Sequence, residues 1–91
     1  MKKSVRLILT GALQPMFFHD YIKKEADALK VRGYIRSLED GKVEVFLEGD
    51  SKIVDEMIPL CKVGPYNTKI RNVDVKDERF QDFKDFRIVR I

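Results

Sequence analysis

Asp40-Gly41 separates two short strand-forming runs, Tyr34-Ile35-Arg36-Ser37-Leu38 and Val43-Glu44-Val45-Phe46-Leu47. Aspartate and glycine both accept left-handed backbone angles, so the pair predicts a tight hairpin turning over Glu39-Asp40-Gly41-Lys42. An antiparallel pair in mid-chain restricts what the flanking segments can do. Val43, Val45 and Leu47 fall on one side of the second run and are assigned to the core. Phe46 then points outward between Glu44 and Glu48, as an exposed apolar spot or a contact for a partner.

The segments on either side repeat one pattern, a strand joined to a helix. Ser4-Val5-Arg6-Leu7-Ile8-Leu9-Thr10 is aliphatic and β-branched and is closed by Gly11, which predicts a central strand ending in a loop. From Phe18 onward, Phe18, Ile22, Ala26 and Leu29 recur at helical spacing and predict a helix to about Lys30, with Lys23, Lys24 and Glu25 on its wet side. Asp50-Ser51 is an N-cap signal. Ile53, Val54, Met57, Ile58 and Cys61 follow as the buried stripe of a second helix, in which Pro59 removes a hydrogen bond to Asp55 and should disturb the last turn. Gly64-Pro65 ends that helix. Thr68 to Val75 reads as a fourth strand and Phe86 to Ile91 as a fifth, joined by a charged connector from Asp74 to Asp85 that reads as solvated. Strand, helix, strand, strand, helix, strand is the order of an α+β, ferredoxin-like βαββαβ fold. It predicts an antiparallel sheet with two helices on one face and an extra C-terminal strand.

Ninety-one residues, 44% of them hydrophobic and 36% charged, are expected to form a single domain over 1–91. No apolar run approaches the roughly 20 residues that span a bilayer, and no signal-peptide pattern opens the chain, so the expectation is a cytoplasmic protein without a membrane role. One cysteine, Cys61, excludes an intramolecular disulfide and a multi-thiolate metal site. It is read as a packed thiol. The charge of +3 arises from 18 basic and 15 acidic residues intermingled along the chain, which suits a small anion and does not resemble a nucleic-acid tract. No segment has the aromatic pattern of an RNA-recognition sheet.

Gly11, Gln14, Phe18, Ala26, Leu29, Val31, Gly33, Arg36, Asp40-Gly41, Val43-Glu44-Val45, Glu48-Gly49, Val54, Met57 and Gly64-Pro65 stand in register over most of the chain. In order and spacing they resemble the acylphosphatase family. The resemblance implies a monomeric hydrolase without metal or cofactor, cleaving small acyl phosphates to a carboxylate and inorganic phosphate. It also implies a phosphate cradle of backbone amides between the first strand and first helix, here Gln14, Met16, Phe17, Phe18 and His19. In that family an arginine at the end of the loop clamps the phosphate and an asparagine on the second strand positions the attacking water.

This chain departs from the pattern where the chemistry lies. His19 occupies the arginine position, and a histidine is shorter, titrates near pH 6.5 and offers fewer donors. Ser37 occupies the asparagine position and offers a hydroxyl in place of an amide. Pro15 stands where the family has glycine and removes one amide donor, Asp20 adds a carboxylate near the loop, and Lys30 replaces a helix-ending glycine. The residues that carry the family chemistry are thus His19 and Ser37, both substituted. The expectation is a degenerate member with lost or strongly reduced hydrolysis that retains phosphate, anion or protein binding. The alternative is a divergent enzyme that still hydrolyses acyl phosphates. A Ser37, His19 and Asp20 triad is read as a chance grouping, since nothing in the spacing aligns it.

Overall fold

The computed structural model describes residues 1–65 and 68–90. In chain order the elements are β1 (Lys2–Ala12), α1 (Pro15–Leu29), β2 (Arg32–Ser37), a short 3-10 turn (Glu39–Gly41), β3 (Val43–Asp50), α2 (Ser51–Val63), β4 (Lys69–Asp77) and β5 (Phe86–Ile88). The five strands form one sheet in the order β4-β1-β3-β2-β5. The predicted ferredoxin-like arrangement is present, with one difference: β5 runs parallel to β2, pairing Gly33 with Phe86 and Ile35 with Ile88, so the sheet is mixed and not antiparallel throughout.

The hairpin forms as its turn chemistry requires. Asp40 (φ 65°) and Gly41 (φ 74°) are both left-handed, and the Leu38 amide donates to the Lys42 carbonyl at 2.7 Å. Strand parity then sorts the side chains. Val5, Leu7, Leu9, Ile35, Val43, Val45 and Leu47 pack in one buried cluster with Phe18, Ile22 and Ala26 of α1 and Val54, Met57 and Cys61 of α2. Gly33 lies where β2 crosses closely over β3. A Cβ at that position would stand 1.9 Å from the Phe46 carbonyl oxygen, at a φ of +136°.

Both helices show how their ends were selected. The Asp50 carboxylate accepts from the Lys52 amide at 3.0 Å, and α2 continues past Pro59 to Val63 without the interruption expected of the proline. Its last turn closes at Gly64, whose amide donates to Leu60 at 2.9 Å. Helix α1 ends at Lys30 in left-handed geometry (φ 62°, ψ 33°), with the Val31 amide reaching back to Ala26 at 2.8 Å.

The outer face of the sheet overturns one expectation and qualifies another. Phe46 is only 2% exposed, and the connector after β4, whose charged side chains are mostly exposed as expected, is nevertheless anchored to the sheet. Residues 78–85 lie across the sheet as a strap. Phe83 packs edge-on against Phe46 (5.3 Å between centroids) and Tyr34 (5.7 Å), and those two rings stack on each other. Glu48, fully buried beneath the strap, accepts from the Gln81 amide, from the Phe83 amide at 2.7 Å and from the Ser4 hydroxyl at 2.9 Å. The geometry explains the connector's composition. β4 and β5 are opposite edges, four strand spacings or about 19 Å apart, a span within the reach of eight residues, about 26–29 Å when fully extended. The strap crosses the face and delivers the chain to the free edge of β2.

Candidate active site

Helix α1 begins at Pro15, three residues before the first residue of its apolar stripe, because proline is pre-set for the first helical position and its missing amide has no partner to lose there. Gln14 is the N-cap and makes no side-chain capping bond. The predicted cradle is consequently the first turn of a helix. The amides of Met16 and Phe17 have no carbonyl one turn back to receive them, whereas the Phe18 amide donates to the Gln14 carbonyl at 3.0 Å. Phe18 itself is a core side chain with no exposure, and Phe17 projects outward at 70% exposure. No acidic residue sits in this first turn, so the positive end of the helix dipole is not neutralised locally.

His19, the fifth residue of α1, turns back onto the sheet and is 6% exposed. Its Nε2 lies 3.2 Å from Oγ of Ser37, the last residue of β2. Ser37 shares the strand parity of core residue Ile35, which is why the helix side of the sheet holds both partners. They line a cleft of about 410 Å³ together with Pro15, Met16, Val89 and Arg90. Asp20 lies next to His19 in sequence but does not line this cleft.

Arg90 is the residue that the sequence reading missed. The Val89 amide donates to the Ile35 carbonyl at 2.9 Å, so the chain just past β5 is held against the end of β2, beside Ser37. The alternation of Phe86 and Ile88 on the helix side, continued by two residues, was the available signal for Arg90. Placing it at the site required knowing that β5 pairs with β2. Burial, then the charge of Arg90, hold the His19 pKa below its ordinary 6.5, while Asp20 acts weakly in the opposite sense. The lowered pKa favours the neutral imidazole. The cleft thus offers one permanent cation, the first-turn amide of Met16, a hydroxyl and an imidazole biased toward its neutral form, rimmed by the apolar Pro15, Met16 and Val89.

A sequence model of the acylphosphatase family matches residues 5–88. The chain belongs to the acylphosphatase family. It is similar to the acylphosphatase of Rubrobacter xylanophilus, at 38% identity over 84% of this chain and 69% of that one. It is also similar to that of Syntrophus aciditrophicus, at 36% identity over 98% and 94% of the two chains. The crystal structure of acylphosphatase from Bacillus subtilis superposes with a TM-score of 0.90 at 27% identity, covering 99% of this chain and all of that one (100%). The superposition covers the whole arrangement of sheet and helices.

Elsewhere the described residues show no comparable constellation. Cys61 is buried in the core, and burial pushes its thiol up to about 12, consistent with a packed group. Glu44 pairs with Arg6 at 3.2 Å and with Arg36 on the outer face, away from the cleft. Among the described residues no three histidine, cysteine or acidic side chains are grouped as metal ligands, and no helix is long and apolar enough to cross a membrane.

Proposed function

We propose that the cleft between α1 and β2 binds small phosphate-type anions, inorganic phosphate or an acyl phosphate, and that hydrolysis of acyl phosphates there is lost or strongly reduced. The observation that carries this reading is the 3.2 Å contact between His19 Nε2 and Ser37 Oγ. At the two positions where the family pattern has a guanidinium and a carboxamide, a neutral imidazole and a hydroxyl satisfy each other. Neither presents the charged fork that grips two phosphate oxygens or the amide that orients water. Removing one preorganised donor from such a site costs about 10²- to 10³-fold in rate, so the two changes together amount to about 10⁴-fold or more. Anion binding persists in this reading because the first-turn amide of Met16 and the charge of Arg90 do not depend on either substituted residue.

Arg90 also supports a second reading. A guanidinium lining the same cleft supplies the charge that His19 lacks, which makes the chain a divergent enzyme still hydrolysing acyl phosphates. Benzoyl phosphate separates the two. The first reading expects steady-state hydrolysis at or near background, recovery in the combined His19→Arg, Ser37→Asn, Pro15→Gly variant, and phosphate-induced amide shifts confined to residues 14–20 and the end of the chain. Robust wild-type turnover that is abolished by Arg90→Ala or His19→Ala overturns it in favour of the second. A folded triple variant that stays inert overturns the assignment of the lost activity to these three positions.

A further inference from the structure

We propose that Ser37 is a nucleophile that takes the acyl group of an acyl phosphate or activated ester onto its Oγ, with His19 as its base. The inference rests on reading the cleft as an acyl-phosphate site and changes the atom that is attacked. Three features of the geometry support it. Ser37 is exposed and His19 is 6% exposed, and both line the cleft, so the hydroxyl is open to an incoming carbonyl with a largely desolvated base beside it. The 3.2 Å separation is within reach of proton transfer from Oγ to Nε2, and a neutral imidazole is the form able to accept that proton. The cleft lining supplies groups of both kinds: the first turn of α1 and Arg90 suit the departing phosphate, and the side chains of Met16 and Val89 suit an apolar acyl chain.

The first step forms a bond from Ser37 Oγ to the acyl carbon, passes the serine proton to His19 Nε2 and breaks the bond from that carbon to the bridging oxygen. The electron pair leaves with phosphate, which takes the proton from His19 and departs as hydrogen phosphate, so the imidazole is again able to accept a proton. In the second step water, losing a proton through His19, adds to the same carbon; Oγ departs as the hydroxyl and the carboxylate is released. Nothing is oxidised or reduced. Among the described residues no carboxylate is hydrogen-bonded to His19, so the imidazolium formed in each step lacks the support of a triad and deacylation is slow. The acyl-serine therefore accumulates, which agrees with a steady-state rate near background.

The test is to mix the full-length protein with benzoyl phosphate in ¹⁸O-labelled water, following phosphate release, intact mass and the position of the label. The expected result is one burst of phosphate per chain, a matching benzoyl adduct mapped to Ser37, and label in benzoate. Adduct formation is lost in Ser37→Ala and slowed about 100-fold in His19→Gln. Ser37→Cys carries the benzoyl group as a thioester, which keeps the position testable should Ser37→Ala fail to fold. Label in phosphate, an adduct on a lysine or on Cys61, or an unchanged adduct yield in Ser37→Ala overturns the proposal, as does the absence of any adduct. If the adduct is absent while phosphate still shifts the α1 amides and turnover stays near background, the anion site stands and only the nucleophile fails. If phosphate binds nowhere near α1, the underlying reading fails.

Discussion

Glu48→Gln tests whether the strap over the outer face is held by one buried carboxylate. Both carboxylate oxygens are engaged: one accepts from the Phe83 amide, the other from the Gln81 amide and the Ser4 hydroxyl. Glutamine conserves the volume, and its single carbonyl oxygen can serve one side. Its amino group must then face a backbone N–H, leaving at least one buried donor unpaired, which costs about 1–3 kcal/mol. The remaining bonds lose their charge assistance, worth about 1 kcal/mol more. The sum, about 2–4 kcal/mol, is a large part of the roughly 5–14 kcal/mol expected for a chain of this length. It corresponds to a Tm lowered by about 10–20 °C for a domain of this size. Urea denaturation and thermal melts of the two proteins measure it. Hydrogen exchange supplies the location, because the Gln81 and Phe83 amides should lose protection first while the amides of β1 and β3 keep theirs. The strap leads directly into β5 and Arg90, so phosphate affinity should fall as well, although Glu48 is on the opposite face from the cleft. A Glu48→Gln protein within 0.5 kcal/mol of wild type, a figure set at about the scatter of neutral surface changes, with unchanged protection at Gln81 and Phe83, would refute the reasoning.

Lys30→Gly should stabilise the protein by about 0.5–1 kcal/mol in urea denaturation, since relief of a left-handed side-chain penalty of about 1–2 kcal/mol exceeds the added chain entropy of glycine, about 0.5–1 kcal/mol. The His19 pKa is lowered on folding, so the unfolded chain binds more protons just below pH 6.5, and the native state loses stability as pH falls through that region. Melts at pH 7.5 and 5.0 should show a larger drop for wild type than for His19→Gln, and sulfate, which favours the imidazolium, should recover part of the drop in wild type only. Cys61, buried and with its thiol pushed up to about 12, should react with a thiol reagent only at the rate of unfolding, and acceleration by denaturant is the check.

Local chemistry made most of the fold legible. The hairpin at Asp40-Gly41, the Asp50 cap, the Phe18-Ile22-Ala26 stripe and the core side of β3 depend on periodicity and turn preference within a few residues, and each stands where the sequence puts it. The start of α1 was read three residues late because Phe18 opens the apolar stripe, while Pro15 opens the helix. Phe83 anchors the connector from within a charged stretch, where no periodic apolar pattern marks it as buried.

Family membership and the positions of His19 and Ser37 were written in the order of residues along the chain. That order could not say that Phe46 and Glu48 are buried, that β5 enters parallel to β2, or that Arg90 shares a cleft with His19. Each of these depends on where the strap runs. A segment that crosses a whole sheet makes its contacts with strands more than thirty residues away, as between Phe83 and Glu48. Such contacts leave no period in the sequence. The helix and strand patterns determined what the chain could build, and the path of residues 78–90 over the sheet decided which charges meet at the site.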